Sequence, residues 1–367
     1  MLVVWAVDAG RVRRGQLVPL ECSAVLRDCD VGTWSVAVRD DELARRIAAG
    51  WRLIMVDDGE LIVSGPVTGF GSDVGEGQVL LSGVDDLCHV GDRLVFPDPS
   101  KAADAQSTDA YYRRSGPAET VVRDMIDANA GVGAIVARRA AGVVVDASQG
   151  RGADVSTNLR FKNLLVEARS LARLGGISFH ARQDGDTIRV GFTEHRDLSR
   201  RVRFTRQNGG LLGGSYELQA PSVTDVVVAG QGEGTARTII ERSQASVWGR
   251  RIELFQDRRD TDDVADLVQA GDEALADGAE GASASVEVQE VPGCRFGTDF
   301  RLGDTVTAEF GDTTVVEPVR SAEIEWDGHG RAVRLSLGDH EQDDDRSPAW
   351  VRHVRDLSVR VRGLETR

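Results

Sequence analysis

Glu194, His195 and Asp197 are the side chains of this sequence whose types and spacing come closest to a reactive group, two carboxylates flanking one imidazole. Together they would ligate a metal or polarise a water, because a carboxylate partner sets imidazole basicity. They follow directly on an extended run and stand among arginines, which predicts a surface turn making ion pairs. His89 beside Cys88 lacks metal-ligand spacing. The acid pairs Asp57-Asp58 and Asp85-Asp86 would serve glycoside hydrolysis only where a groove holds two carboxylates about 5 to 10 Å apart. Their turn positions predict solvated carboxylates instead. Gly230-Gln231-Gly232-Glu233-Gly234 has the glycine content of a dinucleotide loop without its final spacing or a following βαβ unit, so it reads as a hairpin turn. The sequence contains no phosphate-loop, zinc-protease, nucleophile-elbow or EF-hand pattern. No catalytic, cofactor-binding or metal-binding residue is expected.

Trp5, Trp34, Trp51, Trp248 and Trp326 sit in or beside β runs, where core or rim packing is commoner than a sugar-stacking platform. Cys22, Cys29, Cys88 and Cys294 are too sparse for a disulfide framework and form no C-x-x-C pair, which predicts small reduced thiols. Acidic residues outnumber basic ones 59 to 44, and the net charge of −15 opposes a grip on phosphate backbones or anionic lipid. The apolar run LVVWAV is too short for an export signal or a membrane span.

The elements that must position these residues are mostly strands. At 367 residues more than one core is expected. LVVWAV, LVPLECSAVL, TWSVAVR and the three Val/Leu/Ile-rich runs between Trp51 and Asp86 alternate with Gly, Pro and Asp turns, the pattern of an antiparallel barrel or sandwich. A short helix is expected from Asp41 to Ala49. The polar stretch from Pro97 to Pro117 reads as an exposed connection. Helices are then predicted from Pro117 to Asn129 and from Lys162 to Leu174, the second stopped by Gly175-Gly176. ISFHARQ and TIRVGF pair across an Asp184-Gly185-Asp186 turn. Beyond Arg206 the β pattern resumes with TDVVVAG, ARTIIER, RRIELF, ASVEVQEV and DTVTAEF. A helix interrupts it near Asp263, with Val264, Leu267, Val268 and Leu275 as its buried stripe.

Residues 300–339 follow the same plan as residues 51–86: an aromatic-Arg-Leu start, an extended run, a Gly/Asp turn, a run containing Pro-Val, a Gly turn, and a last strand ending in LSLGD or LSGVD. This predicts a duplicated β unit. At the C-terminus Trp350, Val354, Leu357, Val361 and Leu364 are spaced four, three, four and three, one heptad seam that suits either self-association or docking on its own chain.

The expected fold is mainly β with α+β: two tube-like antiparallel β-barrel domains, an α+β domain between them, and a short C-terminal helix. The expected boundaries are 1–112, 113–205, 206–345 with a helical insertion, and 346–367. This order, with NLRFKNLLVEARSLARLGGISFHARQDGDTIRVGF in the middle unit and GDTVTAEF and VVEPVRSAEI in the last, resembles the baseplate hub or tail-tip proteins of long-tailed actinobacterial phages. These are the ReqiPepy-type siphovirus tail proteins, similar to the N-terminal hub part of tail-associated lysins.

The resemblance implies a structural protein rather than an enzyme, placed at the distal end of the virion tail after synthesis in the bacterial cytoplasm. It implies a homotrimer whose six barrels form a pseudo-sixfold ring, joining the sixfold tail tube or distal tail protein to a threefold tip. Other implied partners are the tape-measure protein and further tail-tip or receptor-binding proteins, with DNA only in transit and no stable membrane insertion. The seam residues Trp350, Val354, Leu357, Val361 and Leu364 would gather the three chains. Unlike the lysins, this sequence carries no peptidase or glycosidase region after the hub part. A receptor- or carbohydrate-binding tail protein, a cell-wall polysaccharide hydrolase and a hub of a contractile injection system are the competing readings.

Overall fold

The computed structural model describes residues 2–73, 77–107, 109–259, 261–328 and 330–338. The first stretch is β1 (Leu2–Val7), β2 (Arg13–Leu17), β3 (Pro19–Arg27), β4 (Asp30–Arg39), α1 (Glu42–Arg46), β5 (Arg52–Asp57), β6 (Glu60–Asp73) and β7 (Gln78–Val84). Period-two alternation builds it: along β4, Trp34, Val36 and Val38 are buried while Thr33 and Arg39 are exposed. Asp41 starts α1, its carboxylate accepting from the Ala44 N–H at 2.8 Å. Asp58 (φ 50°) and Gly59 (φ 86°) form the two-residue turn between β5 and β6.

The middle stretch holds α2 (Cys88–Gly91), β8 (Leu94–Val95), β9 (Tyr112–Pro117), α3 (Ala118–Asn129), β10 (Val143–Val145), β11 (Asp154–Leu159), β12 (Lys162–Asn163), α4 (Leu164–Gly175), β13 (Ile177–Asp184) and β14 (Thr187–Glu194). Pro117 precedes the first turn of α3 as expected, although the end of the polar connection is itself a strand, β9, paired with β11. Asn163 caps α4 by accepting from Leu165 and Val166 N–H, and Gly176 (φ 70°) ends it. Both helices bury their apolar faces with the β13–β14 hairpin in one core that includes Met125, Ile126, Leu164 and Phe179.

The last stretch is β15 (Arg203–Phe204), β16 (Leu211–Gln219), β17 (Asp225–Ala229), β18 (Ile239–Ser243), β19 (Glu253–Asp257), α5 (Val264–Asp277), β20 (Gly281–Val288), β21 (Thr305–Phe310), β22 (Thr313–Asp327) and β23 (Gly330–Leu337). TDVVVAG, ARTIIER and RRIELF do not continue the second β unit. They make a separate three-stranded sheet, β18-β17-β19, whose Val226 and Val228 pack on Leu267, Ala270 and Leu275 of α5. A strand apolar on the face it turns to a helix needs no further sheet to cover it. In α5, Val264 is exposed rather than part of the buried stripe.

The remaining strands of the two β stretches do not close into two separate barrels. They form one open 13-stranded sheet, joined where β22 pairs with β3. The 15-residue β22 runs past the end of β21, so its C-terminal part has an edge left to accept β3. A single apolar cluster runs through both halves, from Val4 to Leu337.

The duplication read from the sequence is present over five strands of each half, whereas the outer pairs differ, β1–β5 being antiparallel and β15–β21 parallel. The first half pairs in the order β1-β5-β6-β7-β4-β3, and the second in the order β15-β21-β22-β23-β20-β16. Even the irregularities repeat: the β6–β7 register shifts between Val67 and Gly69, just after Pro66-Val67, and the β22–β23 register shifts between Val319 and Ser321, just after Pro318-Val319. The segment β17 to α5 is thus an insertion at the position of the tight β3–β4 turn. Among the described residues no helix is long and apolar enough to cross a membrane. The C-terminal helix expected at 346–367, with Trp350, Val354, Leu357, Val361 and Leu364, lies outside the described residues.

Candidate functional site

The chemistry-bearing side chains converge where the two sheet halves meet the α+β stretch, and they do so as buried polar knots. In the first knot Asp28, in the β3–β4 turn and 2% exposed, accepts from Ser178 Oγ on β13 and from Arg320 Nη1 on β22 at 2.8 Å. One carboxylate therefore ties three parts of the chain together. His195 Nε2 lies 2.8 Å from Ser178 Oγ. A serine hydroxyl has one proton. With that proton given to Asp28, the imidazole donates to Ser178, the reverse of the polarity in a Ser-His-Asp nucleophile. Burial pulls the His195 pKa below its ordinary value, partly offset by Asp28. Gly303 (φ 83°) closes the space: a Cβ there would sit 2.4 Å from Ser178 Oγ and 2.6 Å from His195 Cδ2.

A second knot centres on Asp86, fully buried. It accepts from Arg52 Nη2 and from Ser64 Oγ at 2.6 Å, while Arg52 Nε donates to Gln183 Oε1 at 3.0 Å. Gln183 N–H donates back to Ser64 Oγ at 2.8 Å. The β5, β6 and β7 ends are thereby pinned to β13. Asp85 beside it accepts from Gly32 and Leu87 N–H at 2.9 and 3.0 Å, and burial pushes its pKa up to about 7. A third knot joins Arg196 to the buried Asp304 through Nε at 3.0 Å, and Arg301 N–H donates to the same carboxylate at 2.9 Å. A fourth links the halves directly, Trp326 Nε1 donating to Asp57 Oδ2 at 3.0 Å.

Beside the first knot, and lined by its Asp28 and Ser178, lies a cavity of about 270 Å³ walled by Leu61, Ile62, Phe179 and Leu302, with His180 and Arg301 at its polar side. Burial, together with Arg182 and Arg301, drives the His180 pKa down to about 3, which leaves a weak proton acceptor.

Of the sequence candidates, Glu194 and Asp197 are exposed as expected of a surface turn, Asp197 Oδ1 accepting from Ser199 N–H at 3.0 Å, and the ion pair in this turn is made by the neighbouring Arg196 with Asp304. His195 departs from that expectation by turning inward to Ser178. Asp57, Asp85 and Asp86 are not the solvated carboxylates expected: the other half covers Asp57, β13 closes over the Asp86 knot, and the half-buried Asp85 is held by Gly32 and Leu87 N–H of its own half. Asp58 is exposed and pairs with Arg295. His89 Nε2 lies 3.8 Å from Asp86 Oδ1. The 230–234 glycines do turn β17 into β18. Trp34 and Trp326 are core residues, but Trp248 is half exposed at 49%. Among the described residues no three His, Cys, Asp or Glu side chains are grouped to hold a metal. Sequence reasoning missed Asp28, Arg52, Ser178 and Asp304. Their only signal is a charged or polar residue at the end of an apolar run, which does not reveal what covers it.

The chain matches the family described as Siphovirus ReqiPepy6 Gp37-like protein over residues 4–339. No curated protein matches it in sequence. In fold it is similar to the 43 kDa tail protein of prophage MuSo2 from Shewanella oneidensis, at 11% identity and a TM-score of 0.56, covering 92% of this chain and 97% of that one. It is likewise similar to a tail protein from Neisseria meningitidis MC58, at 13% identity and a TM-score of 0.55 over 92% and 96% of the two chains. Prophage tail protein gp18 from Listeria monocytogenes EGD-e gives 11% identity and a TM-score of 0.54 over 93% and 95%.

Proposed function

This chain belongs to the Siphovirus ReqiPepy6 Gp37-like family of phage tail proteins, and from that premise we propose that it is a baseplate hub, a symmetry adapter in the tail. The observation that carries the reading is the five-strand order repeated within one sheet, β5-β6-β7-β4-β3 and β21-β22-β23-β20-β16. Three chains with two equivalent β units each present six similar surfaces, which is what joining a sixfold tube to a threefold tip requires. In this reading residues 1–112 and 206–345 supply tube-like walls, each half curling on itself. Residues 113–205 brace them through the Asp28, Asp86 and Asp304 knots.

The mechanism is mechanical and electrostatic. Buried charge pairs bridging the units fix their relative placement, because breaking one leaves an unpaired charge in a low-dielectric interior. Three copies of −15 give −45 formal charges, a field that repels DNA phosphates in passage. The partners proposed are the tail-tube or distal tail protein, the tape-measure protein and tip or receptor-binding proteins, at the distal end of the virion tail. The seam of Trp350, Val354, Leu357, Val361 and Leu364 is proposed to gather the chains below the ring.

Gold-labelled antibody against this chain, applied to intact virions, tests the placement. Label confined to the tail end away from the head supports it; label along the tube or at the head end overturns it.

A further inference from the structure

Within the chain, β3 of the first half lies antiparallel to the C-terminal part of β22 in the second, from Arg27 opposite Ser321 to Cys22 opposite Trp326. By the strand correspondence the counterpart of β3 is β16, and that of β22 is β6. Yet β16 pairs only with β20, and β6 beyond Pro66 pairs only with β7. Among the described residues, then, the two edges that would repeat the internal joint both end in unpaired backbone groups, an arrangement that templates strand addition.

We propose that these edges join two copies of this chain, β16 of one adding antiparallel to residues 69–73 of β6 in the next. The register follows from equivalent partners. Val36 and Val286 face Leu81 and Leu335 in matching pairs. Cys22 lies opposite Val36 and Gly214 opposite Val286, so Leu26 corresponds to Leu218 and Arg27 to Gln219. The shared irregularity after Pro-Val makes Gly69 and Phe70 the counterparts of Ser321 and Ala322. The internal pair Leu26–Ala322 thus becomes Leu218 opposite Phe70 between chains.

The side chains fit this assignment. Phe70 is 63% exposed and Leu218 51%, and β16 also exposes Leu212 and Tyr216, so the two edges carry large apolar groups in solvent. Glu217 falls opposite Gly71, where a Cβ would meet nothing within 4 Å, and Tyr216 falls opposite Ser72, so no like charges oppose each other. The contact is head to tail, using different patches on the two copies, and such contacts close into rings when the rotation fits. The proposal rests on the trimeric ring reading and specifies its seam.

Cysteine cross-linking of the full chain tests it. An equimolar mixture of Phe70→Cys and Leu218→Cys chains can bridge only between molecules. On oxidation it is expected to give a band near twice the 39.6 kDa chain, beyond what either variant gives alone. The double variant is expected to reach three times that mass, whereas Phe70→Cys with Leu212→Cys, six positions out of register, gives neither band. Sedimentation of the unmodified chain separates the failures. A trimer without the cross-link overturns the seam and leaves the ring; a monomer at every concentration without the cross-link overturns both.

Discussion

Asp86→Ala should destabilise the chain by about 3–5 kcal/mol, the range for removing one partner of a buried ion pair. Asp86 is wholly inaccessible and the Arg52 side chain is 6% exposed, so water screens neither. Opposite unit charges about 4 Å apart interact by roughly 4 kcal/mol at an effective dielectric near 20. Alanine leaves the guanidinium only its bond to Gln183 and strips Ser64 Oγ of its acceptor, which adds about 1 kcal/mol. With a urea slope near 2–3 kcal/mol/M, the first unfolding midpoint should fall by about 1–2 M. Arg52→Met with Asp86→Leu removes both charges together and should recover most of the loss, leaving about 1–2 kcal/mol for Ser64 and Gln183. A loss below about 1 kcal/mol for Asp86→Ala, or a double variant as unstable as the single one, would refute the view that this buried pair anchors the knot through which Arg52 and Ser64 hold Gln183 of β13.

Gly303→Ala should cost about 2–4 kcal/mol, since its φ of 83° disfavours any side chain and the new methyl would press on Ser178 and His195; a thermal scan matching wild type would contradict the packing. Trp326→Phe should cost about 1–3 kcal/mol by leaving Asp57 without its indole donor, read by urea denaturation, and a neutral result would mean that the bond between the halves contributes nothing. His180 folds with a pKa near 3 against 6.5, so the unfolded chain takes the proton more readily across that window and stability falls with pH by at most about 1.4 kcal/mol per unit. Asp85 folds with a pKa near 7 against 3.8, so there the folded chain holds the proton and stability rises as pH falls from 7 to 3.8. In Tm series from pH 6.5 to 4, His180→Gln should therefore lose less stability on acidification than wild type, and equal slopes would show that His180 is not held neutral.

The sheet was legible where side-chain period and turn chemistry agree. Asp58-Gly59 and Asp184-Gly185 mark hairpins locally, the Pro-Val pairs mark the register shifts inside β6 and β22, and the repeat of that grammar at residues 300–339 exposed the duplication. What adjoins what was not legible. β17 to β19 have the same composition as the main sheet, and only the apolar stripe of α5 that covers them distinguishes their place. The joint of β22 with β3 pairs residues 294 to 304 apart in sequence, as with Trp326 opposite Cys22, and no periodicity reports such a partner. The knots failed for a related reason. Asp57 and Asp86 look like turn carboxylates because they are at turns, and their burial comes from the other sheet half and β13 closing over them. The inward orientation of His195 depends on Asp28, far away in sequence, and on the space left by Gly303.

Sedimentation equilibrium of the full chain across a wide concentration range tests the central claim most directly. The account predicts a species of three times 39.6 kDa in equilibrium with monomer, because two β units per chain complete a ring only at three copies. A chain that stays monomeric, or that stops at a symmetric dimer, at every concentration would contradict it.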